Sequence, residues 1–112
     1  MLPDAKKFLV DILLSVDIIL EYLTDVKSYA EFAKNKMAVD AIERRLAIIG
    51  EALAKAIKAD DTIMVSDSKK IIGLRHILVH DYDLVDEPII WKIINGNIPV
   101  LKKEVAILLQ QD

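Results

Sequence analysis

The chain has no cysteine, so neither a disulfide nor a thiolate metal site can form. A cysteine-free chain suits the cytoplasm, which is the expected compartment. Glycine and proline are scarce, three of each in 112 residues, too little punctuation for an all-β fold with its many turns. A long, uncharged hydrophobic run is missing as well. The stretch "FLVDILLSVDIIL" is interrupted by Asp11 and Asp17 and followed by no small-residue cleavage site, so it does not read as a signal peptide. An aspartate at a bilayer centre costs about 2.5–3.5 kcal/mol, so no membrane span is expected there either. Positive charge is not in excess. The formal net charge of −3 gives no global attraction to nucleic acid, and an RNA contact would need a local basic patch.

What remains is apolar and helix-patterned. Hydrophobic residues make up 54% and charged residues 29%, well above the apolar content of a disordered chain. The length fits a single domain, residues 1–112, around one core. No repeat, linker or low-complexity tract interrupts it. Pro3 sits where a first helix starts, since its missing N–H costs nothing there. Phe8, Leu9, Ile12, Leu13, Val16, Ile19, Leu20 and Leu23 share one broad face of that helix. Val10, Leu14, Ile18 and Tyr22 form a second stripe, which is either extra width of the same core or a contact with another chain.

"SYAE" reads as a capping box in which Ser28 accepts from the N–H of Glu31 and Glu31 reaches back. A short helix from Tyr29 leads into "NKMAVDAIERRLAIIGEALAKAIK", where Met37, Ala41, Ile48, Ala52 and Ile57 recur at helical spacing. "ADDT" ends that helix, and Ser66 or Asp67 is a plausible cap for the next. Pro88 falls in the first turn of the last helix, and Gly96 with Pro99 predicts a kink or break within it. The fold class is all-α, an up-and-down bundle of four to five helices. Gly50 and Gly73 lie inside helices, where glycine costs about 1 kcal/mol relative to alanine. Close backbone approach would offset that cost, placing both glycines where two long helices cross and bringing Glu51 within reach of Arg75.

The stretch "RHILVHDYD" gathers an arginine, two histidines and a tyrosine. Arg75 and His80, five apart, diverge by roughly 140° on an unbroken helix, whereas His76 and His80, four apart, share a face. Three readings fit. His76, His80 and Asp83 would form a metal site. A purely structural reading pairs Arg75 with Glu51, caps the helix with His80 and packs Tyr82 on the bundle end. The third reading is a metal-independent ribonuclease. RNA carries its own nucleophile, the 2′-hydroxyl, so cleavage needs a base, an acid and a cation for the phosphorane-like transition state. Histidine, with an unperturbed pKa of about 6.5, serves the first two tasks, and a bidentate guanidinium serves the third. One chain offers a single such set, and two chains meeting at this helix would offer two.

"RHILVHDY" fits the R-x-x-x-x-H-x-Y motif of HEPN-domain toxins and resembles their HepT-like group, partnered with a minimal nucleotidyltransferase antitoxin. The ordered set "IGEA", "GLR…HDY", "IIW" and "IP.L" extends the resemblance over nearly the whole chain. The resemblance implies a HEPN-like homodimer with two motifs facing one cleft, acting as an endoribonuclease toxin on RNA. It makes Arg75 and His80 the catalytic pair and Tyr82 the tyrosine that the partner adenylylates to silence the toxin. Glu51 would orient Arg75, with His76 and Asp81 as supporting residues. No cofactor, metal ion or membrane is called for. Many members carry asparagine directly after the motif arginine, where this chain has His76. Asp81, Asp83, Asp86 and Glu87 beside Tyr82 should repel RNA. Lys69, Lys70, Arg44 and Arg45 are the cations placed to offset them. The acidic turn also suits a second class of function, a non-catalytic module that docks a nucleotidyltransferase as its substrate or regulator.

Overall fold

Pro3 opens the first helix, α1 (Pro3–Leu23), and the broad apolar face read from its periodicity is the face it buries. Leu9, Ile12, Val16 and Ile19 are fully enclosed, with Phe8, Leu13, Leu20 and Leu23 packed around them. Val10, Leu14 and Tyr22 of the second stripe are exposed, Leu14 to 59%. Apart from half-buried Ile18, that stripe is therefore not extra width of this chain's own core. These relations come from a computed structural model, which describes residues 1–111.

α2 (Tyr29–Lys34) is short and depends on its cap. Ser28 Oγ accepts from the N–H of Glu31 at 3.2 Å, while the Glu31 carboxylate accepts from the N–H of Lys27 at 2.6 Å, one residue earlier than a strict capping box places it. The helix seats Phe32, which is fully buried with its ring 5.3 Å from that of Trp91. Tyr29 meets Trp91 edge-on at 6.5 Å, so the tryptophan of "IIW" closes an aromatic cluster. Ser28→Ala is expected to lower stability by about 1 kcal/mol, seen as a fall of several degrees in thermal midpoint with a native far-UV spectrum.

α3 (Lys36–Ala59) starts at Asn35, whose side chain accepts from the N–H of Ala38 at 3.1 Å. It buries Val39, Ile42, Leu46, Ile49, Leu53 and Ala56, whereas Met37 is 85% exposed. The buried line is offset from the one suggested by Met37, Ala41 and Ile48 because α3 packs against both α1 and the helix Ser68–His80. A helix covered on two sides shows a wide apolar sector, and spacing alone does not give its centre. Lys55, near the end of α3, lies over the ring of Phe8, near the start of α1, so these two helices run antiparallel.

α4 (Ser68–His80) is followed by a 3₁₀ turn, Tyr82–Leu84, then α5 (Glu87–Lys92), a π-helical turn (Ile93–Asn97) and α6 (Ile98–Gln110). Pro88 is in the first turn of α5, as expected. Gly96 and Pro99 do not break the helix. The irregularity is absorbed as the π turn, where the N–H of Ile98 donates to Ile93 O, and the missing N–H of Pro99 falls in the first turn of α6. With α5 to α6 taken as one continuous column, the protein is an all-α bundle of five helices. Among the described residues there is no strand, and no helix is long and apolar enough to cross a membrane.

Candidate active site

All the motif residues lie on or just after α4, whose only fully buried residue is Ile71. The helix is fixed at its start. Asp67 takes a left-handed conformation (φ 59°), which a short polar side chain tolerates. Its carboxylate accepts from the Asn97 amide of the π turn at 2.8 Å. Ser66 donates its backbone N–H to the Glu104 carboxylate of α6 at 3.1 Å. The cap is thus Asp67, acting through position and its tie to Asn97, with no side-chain bond to its own helix. The spacing pattern gave no hint of Asn97 or Glu104, because both partners lie on a distant element.

Gly50 sets the distance between α3 and α4. A Cβ there would stand 2.5 Å from Arg75 Cβ and 3.0 Å from the carbonyl oxygen of Ile71, so only glycine lets the two helices meet at this point. Gly73 is not at the crossing: nothing lies within 4 Å of where its Cβ would be. It faces a shallow apolar groove with Ile77, Ile89 and Ile93, flanked by Lys69 and Lys70.

The stem of Arg75 is clamped over Gly50, and its guanidinium reaches Glu51 Oε1 at 4.0 Å, with the side chain 33% exposed. Glu51 also holds Lys55 at 3.5 Å. Ion pairs this exposed contribute only about 0–1 kcal/mol, so the Glu51 contact adds little to the stability of the fold. Glu51, Lys55, Arg75 and His76 rim a cavity of about 310 Å³ floored by Ala54 and Ile72.

The histidines form a second group. The rings of His76 and His80 lie 4.9 Å apart, as their four-residue spacing predicts. His76 Nε2 also reaches Asp81 Oδ2 at 3.7 Å. His80 is the last residue of α4 and is exposed, with its ring against His76. Arg75 and His80 point roughly 140° apart around the helix, so His76 bridges the arginine cavity and the motif histidine. Tyr82 is 79% exposed and does not pack on the bundle end. His76, His80 and Asp83 do not close into a ligand set, since no group of three or more acidic or histidine side chains among the described residues is placed to hold a metal ion. On α3, burial together with Asp40 and Glu87 raises the Glu43 carboxyl above its ordinary value. Lys55 was missed in the sequence reading, although its position four residues after Glu51 is an i, i+4 signal.

The chain is similar to known proteins over most of its length. The family described as Ribonuclease HepT-like matches residues 12–108. A protein of Methanocaldococcus jannaschii, provisionally named an RNase, is 41% identical over 107 residues, covering 94% of this chain and 96% of its own. A provisionally named RNase of Caldanaerobacter subterraneus subsp. tengcongensis is 32% identical over 108 residues, 96% of each chain. A Thermococcus cleftensis protein, provisionally named ribonuclease HepT, is 31% identical over 99 residues, 87% of this chain and 88% of its own. No solved structure gives a significant match. With the helical bundle, the clamped arginine and a family match over most of its length, the chain belongs to the HepT-like ribonuclease family.

Proposed function

We propose that the protein is a metal-independent endoribonuclease, the toxin of a pair whose antitoxin is a minimal nucleotidyltransferase. The observation that carries the reading is Arg75, fixed by Gly50 and Glu51 at the mouth of an open cavity on the helix that ends in exposed His80. In the reaction, the RNA 2′-oxygen bonds to phosphorus as the bond to the 5′-oxygen breaks. A neutral histidine takes the 2′-hydroxyl proton and a protonated histidine supplies one to the leaving oxygen. The products are a 2′,3′-cyclic phosphate and a 5′-hydroxyl. Arg75 holds the non-bridging oxygens, where negative charge builds up. Two His80 side chains, one from each protomer of a homodimer, supply the base and the acid. The uncovered stripe of Val10, Leu14 and Tyr22 supports a contact with another chain.

Tyr82 is the regulatory handle. A hydroxyl this exposed is accessible to a partner enzyme that transfers AMP from ATP to the tyrosine oxygen and releases pyrophosphate. The added phosphate would stand among Asp81, Asp83 and the histidines and keep RNA out by charge and bulk. Co-incubation with the nucleotidyltransferase and ATP is expected to add one or more AMP masses and end cleavage. Tyr82→Phe should gain no mass and stay active, and a modified phenylalanine variant would remove Tyr82 from the scheme.

The test of the whole reading is incubation of purified protein with total RNA in EDTA, with its intact mass recorded. Cleavage by protein of unmodified mass is expected. Silence from such protein favours the second reading, a non-catalytic module that docks the nucleotidyltransferase. One observation points that way: the turn carrying Tyr82 also exposes Leu84 among four carboxylates, a surface better suited to a protein partner than to RNA.

A further inference from the structure

We infer that the RNA strand runs from Arg75 across the outer face of α3 to α1, with Lys55 holding the phosphate next to the scissile one and Phe8 stacking a base. This rests on the ribonuclease reading above and extends it to a second subsite. The cavity at Arg75 is not isolated. A neighbouring cavity of about 150 Å³, between α1 and α3, is lined by Lys7, Phe8, Asp11 and Ile48, and it shares Glu51 and Lys55 with the first. With those two residues in both walls, the cavities adjoin, and we treat them as one trough.

Its chemistry fits a single strand. The Phe8 ring has Lys7 Nζ 4.9 Å and Lys55 Nζ 5.8 Å from its centroid, an aromatic face between two ammonium groups. Single-stranded nucleic acid is held by this combination, with bases on aromatic rings and phosphates on nearby cations. The resting partners of those cations are easily exchanged. Lys55 holds Glu51 at 3.5 Å and Lys7 holds Asp11 at 3.9 Å, both exposed pairs that contribute little. Charge also gives the strand a direction. Three cations (Lys7, Lys55, Arg75) face two carboxylates (Glu51, Asp11) along the trough, whereas beyond His80 lie Asp81, Asp83, Asp86 and Glu87. Phosphates are drawn towards α1 and repelled from the tyrosine turn.

The test is equilibrium binding of a fluorescent 2′-O-methyl RNA hexamer, which lacks the nucleophile, to the full chain across a salt series, with cleavage of unmodified RNA assayed in parallel. Lys55→Ala should weaken binding about tenfold and reduce the log–log salt slope by about 0.7, one phosphate contact on a single strand. Phe8→Leu, which keeps an apolar side chain in the core edge, should weaken binding about fivefold without changing the slope. Lys102→Ala, a lysine paired with Asp17 away from the trough, should change neither. Equal behaviour of the Lys55 and Lys102 variants, or no hexamer binding at all, overturns the inference. Lys55-dependent binding without cleavage of unmodified RNA would sink the nuclease reading and leave the trough as an RNA surface. Cleavage and binding both indifferent to Lys55 would do the reverse.

Discussion

His80→Ala is expected to slow RNA cleavage by about 10²- to 10⁴-fold, the usual contribution of a positioned acid–base group. The fold should not notice. His80 is exposed at the last position of α4, so the substitution removes no buried surface and leaves the anchored start of the helix intact. Arg75→Ala should cost about 10²- to 10³-fold, as loss of one charge-stabilising donor does. Arg75→Lys should recover only part of that, because an ammonium keeps the charge but not the planar two-point grip on a phosphate. His76 decides how the result is read. It touches both His80 and the arginine cavity, so it is the one residue able to replace the motif histidine. If His80→Ala keeps more than half of the rate and His76→Ala loses it, the acid–base role belongs to His76. If the double variant His76→Ala/His80→Ala retains activity, neither histidine moves the proton and the mechanism is wrong.

The parts of this site that were legible in the sequence are those set by a single helix. The i, i+4 rule places His76 against His80, and their rings do lie 4.9 Å apart, while the 3.6-residue wheel separates Arg75 from His80 along the same helix, α4. The apolar stripe left over on α1 was visible as surplus, and its exposure follows from a core that needs only one face. Where two elements must be known at once, the sequence runs out. Gly50 and Gly73 carry the same signal, a glycine inside a helix, yet only Gly50 faces another backbone. Asp67 looked like an ordinary cap, but its side chain is taken by Asn97, thirty residues on in the π turn. Gly96 and Pro99 announced a disturbance without saying whether the helix would break or widen. Widening keeps Ile93, Ile94 and Ile98 buried, and a break would have exposed some of them. Tyr82 was read on structural grounds as bundle packing and by resemblance as a handle. Its exposure rules out the packing.

The two interior glycines give the sharpest structural prediction, because the same substitution should have opposite effects. In Gly50→Ala the new methyl would stand 2.5 Å from Arg75 Cβ, an atom fixed by the α4 backbone, and 3.0 Å from the Ile71 carbonyl oxygen. Neither can swing aside, so α3 and α4 must move apart. Overpacking of this kind costs about 1–3 kcal/mol, and the helix-propensity gain of about 1 kcal/mol offsets only part of it. The thermal midpoint should fall by several degrees. The larger effect is on function: Arg75 rides on the part of α4 that is displaced, and a misplacement of about 1 Å in a catalytic group can cost about 10²-fold in rate. Gly73→Ala meets nothing within 4 Å, so it should gain about 0.5–1 kcal/mol from helix propensity and a less flexible unfolded chain, with cleavage unchanged. Thermal melts and cleavage rates of the two variants side by side check both halves. A stabilised, fully active Gly50→Ala would mean that the α3–α4 contact is looser than described and that Arg75 is not held by it.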